Sequence, residues 1–346
     1  LQPFQARTIA YKLGLSGKLA NQAADIMLKL SKLYIEKDCS LAEINPLVIA
    51  VDSSSPNAQS PMPNAPLMPL PDTRHLIEKY ELAAKKRFGQ HFLRDEGIIQ
   101  RIVDAIAPAP GQRLVEIGPG EGAITLPLLR RAGQIAVIEL DRDLLPRIAA
   151  TCKDVGAVEI IHADVLEVDL GALATNARLR LVGNLPYNIS SPILFHCMQH
   201  LDSIQDMHFM LQREVVDRMA AAPGSKIYGR LSVMLQLACR IEPLLGVPPE
   251  AFRPPPKVDS AVVRLTPMPM EARPLRHARL IEQLVRAAFG QRRKTLSNAL
   301  RDFASATQMR AVDIDPGDRA EQLAPAAFVR LAGHLAQAQD KPESRN

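Results

Sequence analysis

Five short apolar runs constrain the fold of this chain more than any other feature. They read RLVEIGPG, IAVIELD, VEIIHAD, LRLVGNLPY and DMHFMLQ, and stretches with helical spacing separate them. Strands that alternate with helices need crossover connections, which favour a mainly parallel sheet and an α/β fold. Ligands bind such sheets outside the carboxyl ends of the strands. The residues that follow each run are therefore the first candidates for a functional site.

Composition divides the chain into four parts. Residues 1–50 are typical of a helix followed by a short strand, and residues 51–82 form a linker whose six prolines favour extended backbone. The α/β pattern occupies residues 83–267. From residue 268 to residue 346 the apolar spacing is helical, which predicts a small all-helical C-terminal domain.

Charge and cysteine spacing indicate the setting in which the protein works. The net charge is only +5, but the segment between Arg273 and Arg301 holds eight arginines or lysines and a single acid, Glu282. Such a segment attracts phosphates, or it forms an ordinary solvated helix face. The four cysteines lie far apart, which favours reduced thiols in the cytoplasm over a disulfide framework. No apolar stretch has the roughly 18 residues of a membrane span.

Polar residues and glycines end the first three runs. Gly118 and Gly120 allow a sharp turn and a close approach of a ligand to the backbone. Glu139, about 20 residues further on, can accept hydrogen bonds from both hydroxyls of a ribose. Asp164 can accept a hydrogen bond from an adenine amine. Because the turn reads EIGPGEG, with a proline where a phosphate loop needs an N–H donor, it favours S-adenosylmethionine over a dinucleotide.

The fourth run ends in four residues that suit an adenine amine as methyl acceptor. The lone pair of that amine is delocalised into the ring, and acceptors for its hydrogens favour a more tetrahedral, nucleophilic nitrogen. The Asn184 side-chain oxygen and the Leu185 carbonyl can accept, while Pro186 fixes the backbone. Tyr187 offers a stacking face worth roughly 1–3 kcal/mol. A sulfonium is already a strong electrophile, so we expect no metal.

Residues 83 to about 338 resemble the bacterial small-subunit ribosomal RNA adenine dimethyltransferases. The stretches that carry the resemblance are KKRFGQHFL, VEIGPGEGAIT, VIELDRDL, GNLPYNISSPILFH, DMHFMLQREVV, YGRLSVMLQ, AFRPPPKVDSAVVRL and QRRKTLSNAL. The resemblance implies a Rossmann-like S-adenosylmethionine methyltransferase domain at 83–267 and a helical RNA-contacting domain at 268–346. It also implies dimethylation of two adjacent adenines in a loop of the small-subunit RNA during ribosome assembly. We expect a monomer.

The resemblance further implies roles for individual residues. The cofactor contacts would be His91, Leu93, Gly118, Gly120, Glu139, Asp164 and Asn184, although the family often has asparagine at the position of His91. The catalytic residues would be Asn184, Leu185, Pro186 and Tyr187, with Phe252 covering the other face of the flipped base. The candidates for contact with RNA phosphates are Lys85, Lys86, Arg87, Arg292, Arg293 and Lys294. A base inside a duplex cannot reach the methyl group, so a loop or a flipped base is the expected substrate.

Residues 1–50 carry a separate resemblance. The stretches LQPFQARTIAYKLGL and EINPLVI are similar to the ATP-grasp subunit of succinate–CoA ligase, in which the residues matching Glu43 and Asn45 lie beside a metal–nucleotide site. A hard cation needs several oxygen ligands, and nothing downstream supplies the rest of that site. We interpret this piece as a remnant or fusion product without ligase activity.

Three alternatives stay open at this point. A macrolide-resistance type methylase of large-subunit RNA has a similar glycine-rich loop and slot, although NLPYNISSP, MHFMLQREVV and QRRKT favour the small-subunit enzyme. A non-catalytic ribosome assembly factor would have an eroded slot, whereas residues 184–187 are intact. A CoA ligase would depend on residues 1–50 alone.

Overall fold

A computed structural model of the chain describes Asp25, residues 91–291 and residues 293–339. The chain forms two compact units, Leu1–Ala84 and Lys85–Asn346, and nearly all the described residues belong to the second. The predicted remnant and linker at 1–82 lie outside the described residues, as do the RNA-binding candidates Lys85, Lys86, Arg87 and Arg292. Within the described part, no helix is both long and apolar enough to cross a membrane.

The strands form one large sheet and one short pair. In chain order they are β1 (Phe92–Leu93), β2 (Arg113–Ile117), β3 (Gln134–Glu139), β4 (Ala157–His162), β5 (Leu179–Asn184), β6 (Ile204–Gln212), β7 (Cys239–Val247), β8 (Phe252–Arg253) and β9 (Ser260–Pro267). The seven-stranded sheet has the order β4–β3–β2–β5–β6–β9–β7. The first five strands of that order are parallel, whereas β9 pairs antiparallel with both β6 and β7. The predicted α/β fold is confirmed.

The strand order places a topological switch point between β2 and β5. From β2 the chain proceeds to β3 and β4 on one side, then returns to β5 and β6 on the other. At such a point the crossover connections diverge and leave a crevice beyond the carboxyl ends of the two central strands.

Helices pack on both faces of this sheet and continue beyond it. They are α1 (Glu96–Ile106), α2 (Thr125–Ala132), α3 (Leu145–Cys152), α4 (Leu170–Leu173), α5 (Ser190–Met198), α6 (Arg213–Ala220), α7 (Arg230–Gln236), α8 (Ala278–Gly290), α9 (Leu296–Ala299), α10 (Ala306–Arg310) and α11 (Pro325–Gln339). Asp95 caps α1, since its side chain accepts a hydrogen bond from the Ile98 N–H. The apolar spacing over 293–303 is helical, but the structure has only the four residues of α9 there, followed by turns.

Alternate residues of each central strand enter two different cores. In β2, Leu114 faces a cluster with α1 and α2, whereas Val115 faces a cluster with α5 and β6. In β5, Leu181 and Val182 divide in the same way. Both faces of the sheet are therefore buried, as continuous apolar runs predict for parallel strands.

A third apolar cluster joins the C-terminal helices. It is built mainly by α8 and α11, and Tyr228 enters it from the α6–α7 connection with its hydroxyl donating to the Leu323 carbonyl at 2.9 Å. Residues before 267 therefore also contribute to the helical core. The domain boundary at 267/268 stays a prediction.

A buried ionic network lies at the amino edge of the sheet. Arg180, at the start of β5, donates to Asp206 of β6 at 2.9 Å and to the Ile106 carbonyl at the end of α1 at 2.7 Å. Arg264 of β9 donates to His208 Nε2 at 3.0 Å. This network ties α1 to three strands at the edge opposite the switch point.

Candidate active site

A cavity of about 330 Å³ lies at the carboxyl ends of β2 to β5, at the switch point. Ten of the residues that the sequence singles out line it together: His91, Leu93, Gly118, Gly120, Glu139, Asp164, Asn184, Leu185, Pro186 and Tyr187. They come from five separate segments of the chain; the parallel sheet brings four of these to one edge, and the fifth, residues 91–93, belongs to the β1–β8 pair.

The glycine-rich turn after β2 forms the floor of the cavity. Gly118 and Gly120 have φ values of 66° and 58°, a left-handed region that favours glycine. A Cβ on Gly120 would lie 3.2 Å from the Phe92 ring. Phe92 therefore lies directly on the turn and lines the cavity. Its sequence gives no sign of this role, because an isolated phenylalanine is more often a core residue.

Two carboxyl groups are held at the ends of β3 and β4. Glu139 accepts a hydrogen bond from the Asp141 N–H at 2.9 Å, and burial raises the pKa of its carboxyl above the usual value. Asp164 accepts from the Leu166 N–H at 2.9 Å. Each carboxylate is oriented by a local backbone bond and keeps further acceptor capacity for a ligand in the cavity.

Glu116 is a third carboxyl in the cavity wall, and the sequence analysis did not assign it a role. It is 1% exposed, and its Oε2 has no hydrogen-bond partner among the described residues. Burial raises the pKa of Glu116 to about 8, and the nearby Glu139 carboxylate adds to the increase. The buried Thr125 hydroxyl opposes this increase in pKa, and the Glu116 carboxyl stays protonated and uncharged at pH 7.

The charges of the lining fit S-adenosylmethionine. Four carboxyl groups line the cavity against one arginine, Arg94. These carboxyls belong to Glu116, Glu121, Glu139 and Asp164. Glu139 and Asp164 can accept hydrogen bonds from the ribose hydroxyls and the adenine amine of S-adenosylmethionine, whereas the only arginine among the described lining residues, Arg94, is already paired with Glu121 and is not free to bind a pyrophosphate. These side chains therefore suit S-adenosylmethionine, the expected cofactor, better than a dinucleotide.

An ion-pair cluster closes one rim of the cavity. Glu121 pairs with Arg94, which follows β1, and its other oxygen lies 3.4 Å from Arg147 Nη1 on α3. Both arginines are more than half exposed, at 58% and 66%. Pairs this exposed stabilise by less than about 1 kcal/mol each, so the cluster orients Glu121 more than it stabilises the fold.

Asn184 has one half of its amide occupied and the other half free. Its Nδ2 donates to the His91 carbonyl at 3.0 Å. No hydrogen bond among the described residues uses its Oδ1 or the carbonyl oxygen of Leu185. The His91 bond orients the amide, so two consecutive residues that line the cavity at the end of β5 each offer an acceptor without a partner among the described residues.

The Tyr187 ring is fixed beside these acceptors. Its hydroxyl makes a 2.6 Å hydrogen bond with Ser260 Oγ at the start of β9, and burial raises the pKa of the phenol. The Ser190 hydroxyl donates to the Tyr187 carbonyl at 3.2 Å. The ring is half-buried and lines the cavity, so one aromatic surface is held in place for stacking.

His91 connects the cavity to the residues around Tyr187. Its ring stacks on Tyr187 with a centroid distance of 5.7 Å and an interplanar angle of 29°. The ring Nδ1 donates to the Pro254 carbonyl at 2.7 Å, while the backbone carbonyl holds Asn184. In the structure the His91 ring thus positions Tyr187 and Pro254.

Phe252 differs from its expected place. It is 1% exposed, packs in the core cluster with Ile98, and does not line the cavity. The cause is the β1–β8 pairing, in which Phe252 lies opposite Leu93 and both side chains face the same core. The structure thus places Phe252 in the core beside the cavity, and its role in covering the base stays a prediction.

The predicted RNA contacts that fall in described regions are exposed. Arg293 and Lys294 lie in the turn between α8 and α9 and make no ion pair within the described residues. Their role in RNA binding stays a prediction.

Comparison with known proteins gives the family. A family model described as Ribosomal RNA adenine dimethylase matches residues 81–337, and one described as ATP-grasp domain matches residues 1–49. A protein named Ribosomal RNA small subunit methyltransferase A from Xanthomonas euvesicatoria pv. vesicatoria (strain 85-10) is 58% identical over 253 residues, or 73% of this chain and 97% of the relative. Its namesake from Xanthomonas campestris pv. campestris (strain B100) is 57% identical with the same coverage.

Two solved structures share the fold. A dimethyladenosine transferase from Plasmodium falciparum aligns with a TM-score of 0.63 and 24% identity, covering 72% of this chain and 98% of that one. The 23S rRNA methyltransferase ErmE aligns with a TM-score of 0.57 and 27% identity, covering 71% of this chain and 100% of that one. The family match spans most of the chain and both resemblances found in the sequence are confirmed at the level of family. The chain therefore belongs to the ribosomal RNA adenine dimethylase family.

Proposed function

We propose that this protein dimethylates the exocyclic amines of two adjacent adenines in a loop of small-subunit ribosomal RNA, with S-adenosylmethionine as methyl donor. The family and the names of its 57–58% identical relatives support the reaction and the substrate. One observation carries the proposal. The unused acceptors Asn184 Oδ1 and Leu185 carbonyl lie beside a fixed aromatic ring, at the edge of a cavity lined by acids.

The end of β5 performs the chemistry by positioning the acceptor nitrogen. When bound, S-adenosylmethionine supplies a methyl group on an electrophilic sulfonium. Asn184 Oδ1 and the Leu185 carbonyl each accept one N–H of the adenine amine and favour the tetrahedral nitrogen, while Tyr187 stacks on the base. The nitrogen gains a methyl group and releases one proton per transfer.

A second transfer is possible at the same site. A monomethylated amine has one N–H left, so it can satisfy only one of the two acceptors, Asn184 or Leu185. The other acceptor then faces the first methyl group. We infer that the second transfer is slower than the first, because a single hydrogen bond orients the nitrogen less strictly.

The comparisons favour the small-subunit substrate over the large-subunit alternative. The relatives named for the small subunit are 57–58% identical over 97% of their length, whereas ErmE, named for 23S rRNA, is 27% identical. The intact residues 184–187 oppose a purely non-catalytic assembly factor. A ligase would depend on residues 1–49, and we keep our interpretation of that piece as an inactive remnant.

The setting is also part of the proposal. We infer action on the small subunit during ribosome assembly, in the cytoplasm and as a monomer, with Arg293 and Lys294 contacting RNA. The three described cysteines, Cys152, Cys197 and Cys239, are free and buried, which fits a reducing compartment.

The test uses labelled S-adenosylmethionine and purified unmethylated ribosomal subunits of both kinds, followed by nucleoside analysis. We expect dimethyladenosine from small subunits only. Asn184→Ala removes the side-chain acceptor and should slow transfer by roughly 100- to 1,000-fold at saturating cofactor, the usual loss for one oriented hydrogen-bonding group at a reacting centre.

Asn188→Ala is the matched control, because Asn188 lies in the same loop but is exposed. It should retain activity and subunit binding. Label in large subunits alone, label on a ring atom or ribose, or equal rates for the two variants would each contradict the proposal.

A further inference from the structure

Residues 253–260, which read RPPPKVDS, form a loop that we call the slot loop. Both of its ends are attached to the residues around the adenine slot. The Pro254 carbonyl accepts from the His91 ring at 2.7 Å, and Ser260 Oγ bonds the Tyr187 hydroxyl at 2.6 Å. His91 and Tyr187 in turn stack on each other. The slot loop therefore keeps a fixed position beside the ring on which the base stacks.

The middle of the slot loop is also held. Three consecutive prolines restrict its backbone. Near its end, the Asp259 carbonyl accepts from the Arg213 N–H at 2.9 Å, and Arg213 Nε lies 3.4 Å from Asp259 Oδ2. The Arg213 guanidinium lies so close to Gly246 of β7 that a Cβ there would approach it to 2.5 Å. The loop is thus fixed on both sides of its exposed portion.

The exposed portion carries uncompensated positive charge. Arg253 and Lys257 are exposed, and neither makes an ion pair or side-chain hydrogen bond within the described residues. The acid of the loop, Asp259, is already paired with Arg213. Glu250, just before β8, is the other acid nearby in the sequence, and it is exposed. By contrast, Arg94 and Arg147 at the cavity rim are paired with Glu121.

We propose that Arg253 and Lys257 bind the backbone phosphates that flank the target adenine. The inference rests on the proposed function and deepens it. A base that is flipped into a pocket leaves its own sugar and phosphates at the rim, where a fixed pair of cations neutralises them. An acidic protein surface would also attract two cations, but the adjoining slot for an adenine amine favours nucleic acid.

The expected effect follows from counterion release. Each phosphate contact to a single strand contributes a slope of about −0.7 to the dependence of log K on log salt. Loss of two contacts should reduce the magnitude of this slope by about 1.4. Taking equal binding of the variant and the wild type at 1 M salt as the reference, the variant should bind roughly tenfold more weakly at 0.15 M.

The experiment compares two neutralised double variants of the full chain. Arg253→Gln with Lys257→Gln removes the proposed contacts. Arg130→Gln with Lys153→Gln is the control, since both residues are exposed, have no ion pair in the described part, and lie where α2 and α3 return to the amino edge of the sheet. Binding to unmethylated small subunits is measured from 0.05 to 0.5 M salt, together with KM, kcat and S-adenosylmethionine affinity.

We expect the slot-loop variant to bind subunits about tenfold more weakly at 0.15 M salt and to have a KM about tenfold higher. Its salt slope should be smaller, while kcat and cofactor affinity should be unchanged. The control should match the wild type. Equal slopes for the two double variants would overturn the inference. So would an equal loss for Arg253→Lys with Lys257→Arg, which keeps both charges, because the effect would then be structural.

Two further outcomes separate this inference from the proposed function. If the loss appears with intact subunits but not with deproteinised small-subunit RNA, the loop contacts a ribosomal protein and the inference is wrong. If the wild type binds subunits but transfers no methyl group, the proposed function fails, whereas the salt slopes still decide whether the loop binds RNA.

Discussion

Gly183 lies where the structure tolerates no side chain, and Gly183→Ala is the sharpest test of how the site is built. Gly183 is buried in β5, directly before Asn184. A Cβ there would lie 2.5 Å from the Ile117 carbonyl oxygen of β2 and 3.1 Å from the Leu185 side chain. Ile117 directly precedes Gly118, so the ends of the two central strands, β2 and β5, approach each other closely at Gly183.

The magnitude follows from the overlap. Ordinary van der Waals contact begins near 3.4 Å, so one of the two strands must move by about 0.9 Å. The first atom met is backbone in a parallel ladder, which cannot rotate away. Overpacking of this kind costs typically 1–3 kcal/mol, and we expect a value near 3 kcal/mol here. A displacement of this size at the reacting groups also costs up to roughly 100-fold in rate.

Urea denaturation measures the loss of stability, and the rate of methyl transfer to unmethylated small subunits at saturating S-adenosylmethionine measures the second effect. With a slope of roughly 3 kcal/mol per molar urea, the midpoint of unfolding should fall by about 1 M. Gly333→Ala is the control, because nothing lies within 4 Å of a Cβ at Gly333 in α11, and alanine should stabilise a helix by about 0.5–1 kcal/mol. A Gly183→Ala protein with the wild-type midpoint and the wild-type rate of methyl transfer would refute the reasoning.

Two further predictions concern the ionic network at the amino edge. Burial lowers the pKa of His208 to about 4, against about 6.5 in an unfolded chain. Because the unfolded state then binds more protons, the free energy of unfolding should fall by about 3 kcal/mol as the pH drops from 6.5 through 4. His208→Gln should flatten this part of a stability–pH profile, and an unchanged profile would count against the assignment. Asp206→Asn leaves the Arg180 guanidinium buried with its neutralising charge removed and should destabilise by about 3 kcal/mol in urea. Cofactor affinity should stay within twofold, since the network lies opposite the cavity, and a larger loss would show that the two edges are coupled.

The parallel strands were predictable because burial on both faces makes them continuous apolar runs. Three of the antiparallel strands, β1, β7 and β8, were not. β7 reads CRIEPLLGV, is only partly buried, and contains a proline at a register shift between Pro243 and Leu245, so neither alternation nor a continuous run marks it. β1 and β8 have two residues each and form only because distant segments meet. The short α9 shows the opposite error, since helical spacing over 293–303 is realised as four helical residues and turns.

The residues of the active site also divide into those that the sequence predicts and those that it does not. Residues 184–187 adjoin one another in the chain, so their chemistry could be inferred from type and order. The groups that hold them, at His91, Pro254 and Ser260, lie 73 to 163 residues from their partners, and no local pattern connects them. The position of Phe252 could not be predicted for the same reason, because the direction in which its side chain points depends on the pairing of β8 with Leu93.

β1 and the residue before it, His91, connect the cofactor cavity to the slot loop. Phe92 lies on the Gly120 turn, the His91 carbonyl orients Asn184, and the His91 ring holds Pro254 of the slot loop. Under the proposed function, a substitution that breaks the β1–β8 pairing should weaken binding of both the cofactor and the RNA, whereas removal of an exposed charge on the slot loop should weaken RNA binding alone. Parallel measurement of cofactor affinity and of KM for the subunit thus distinguishes damage to the shared support from loss of a contact, for any variant in this region.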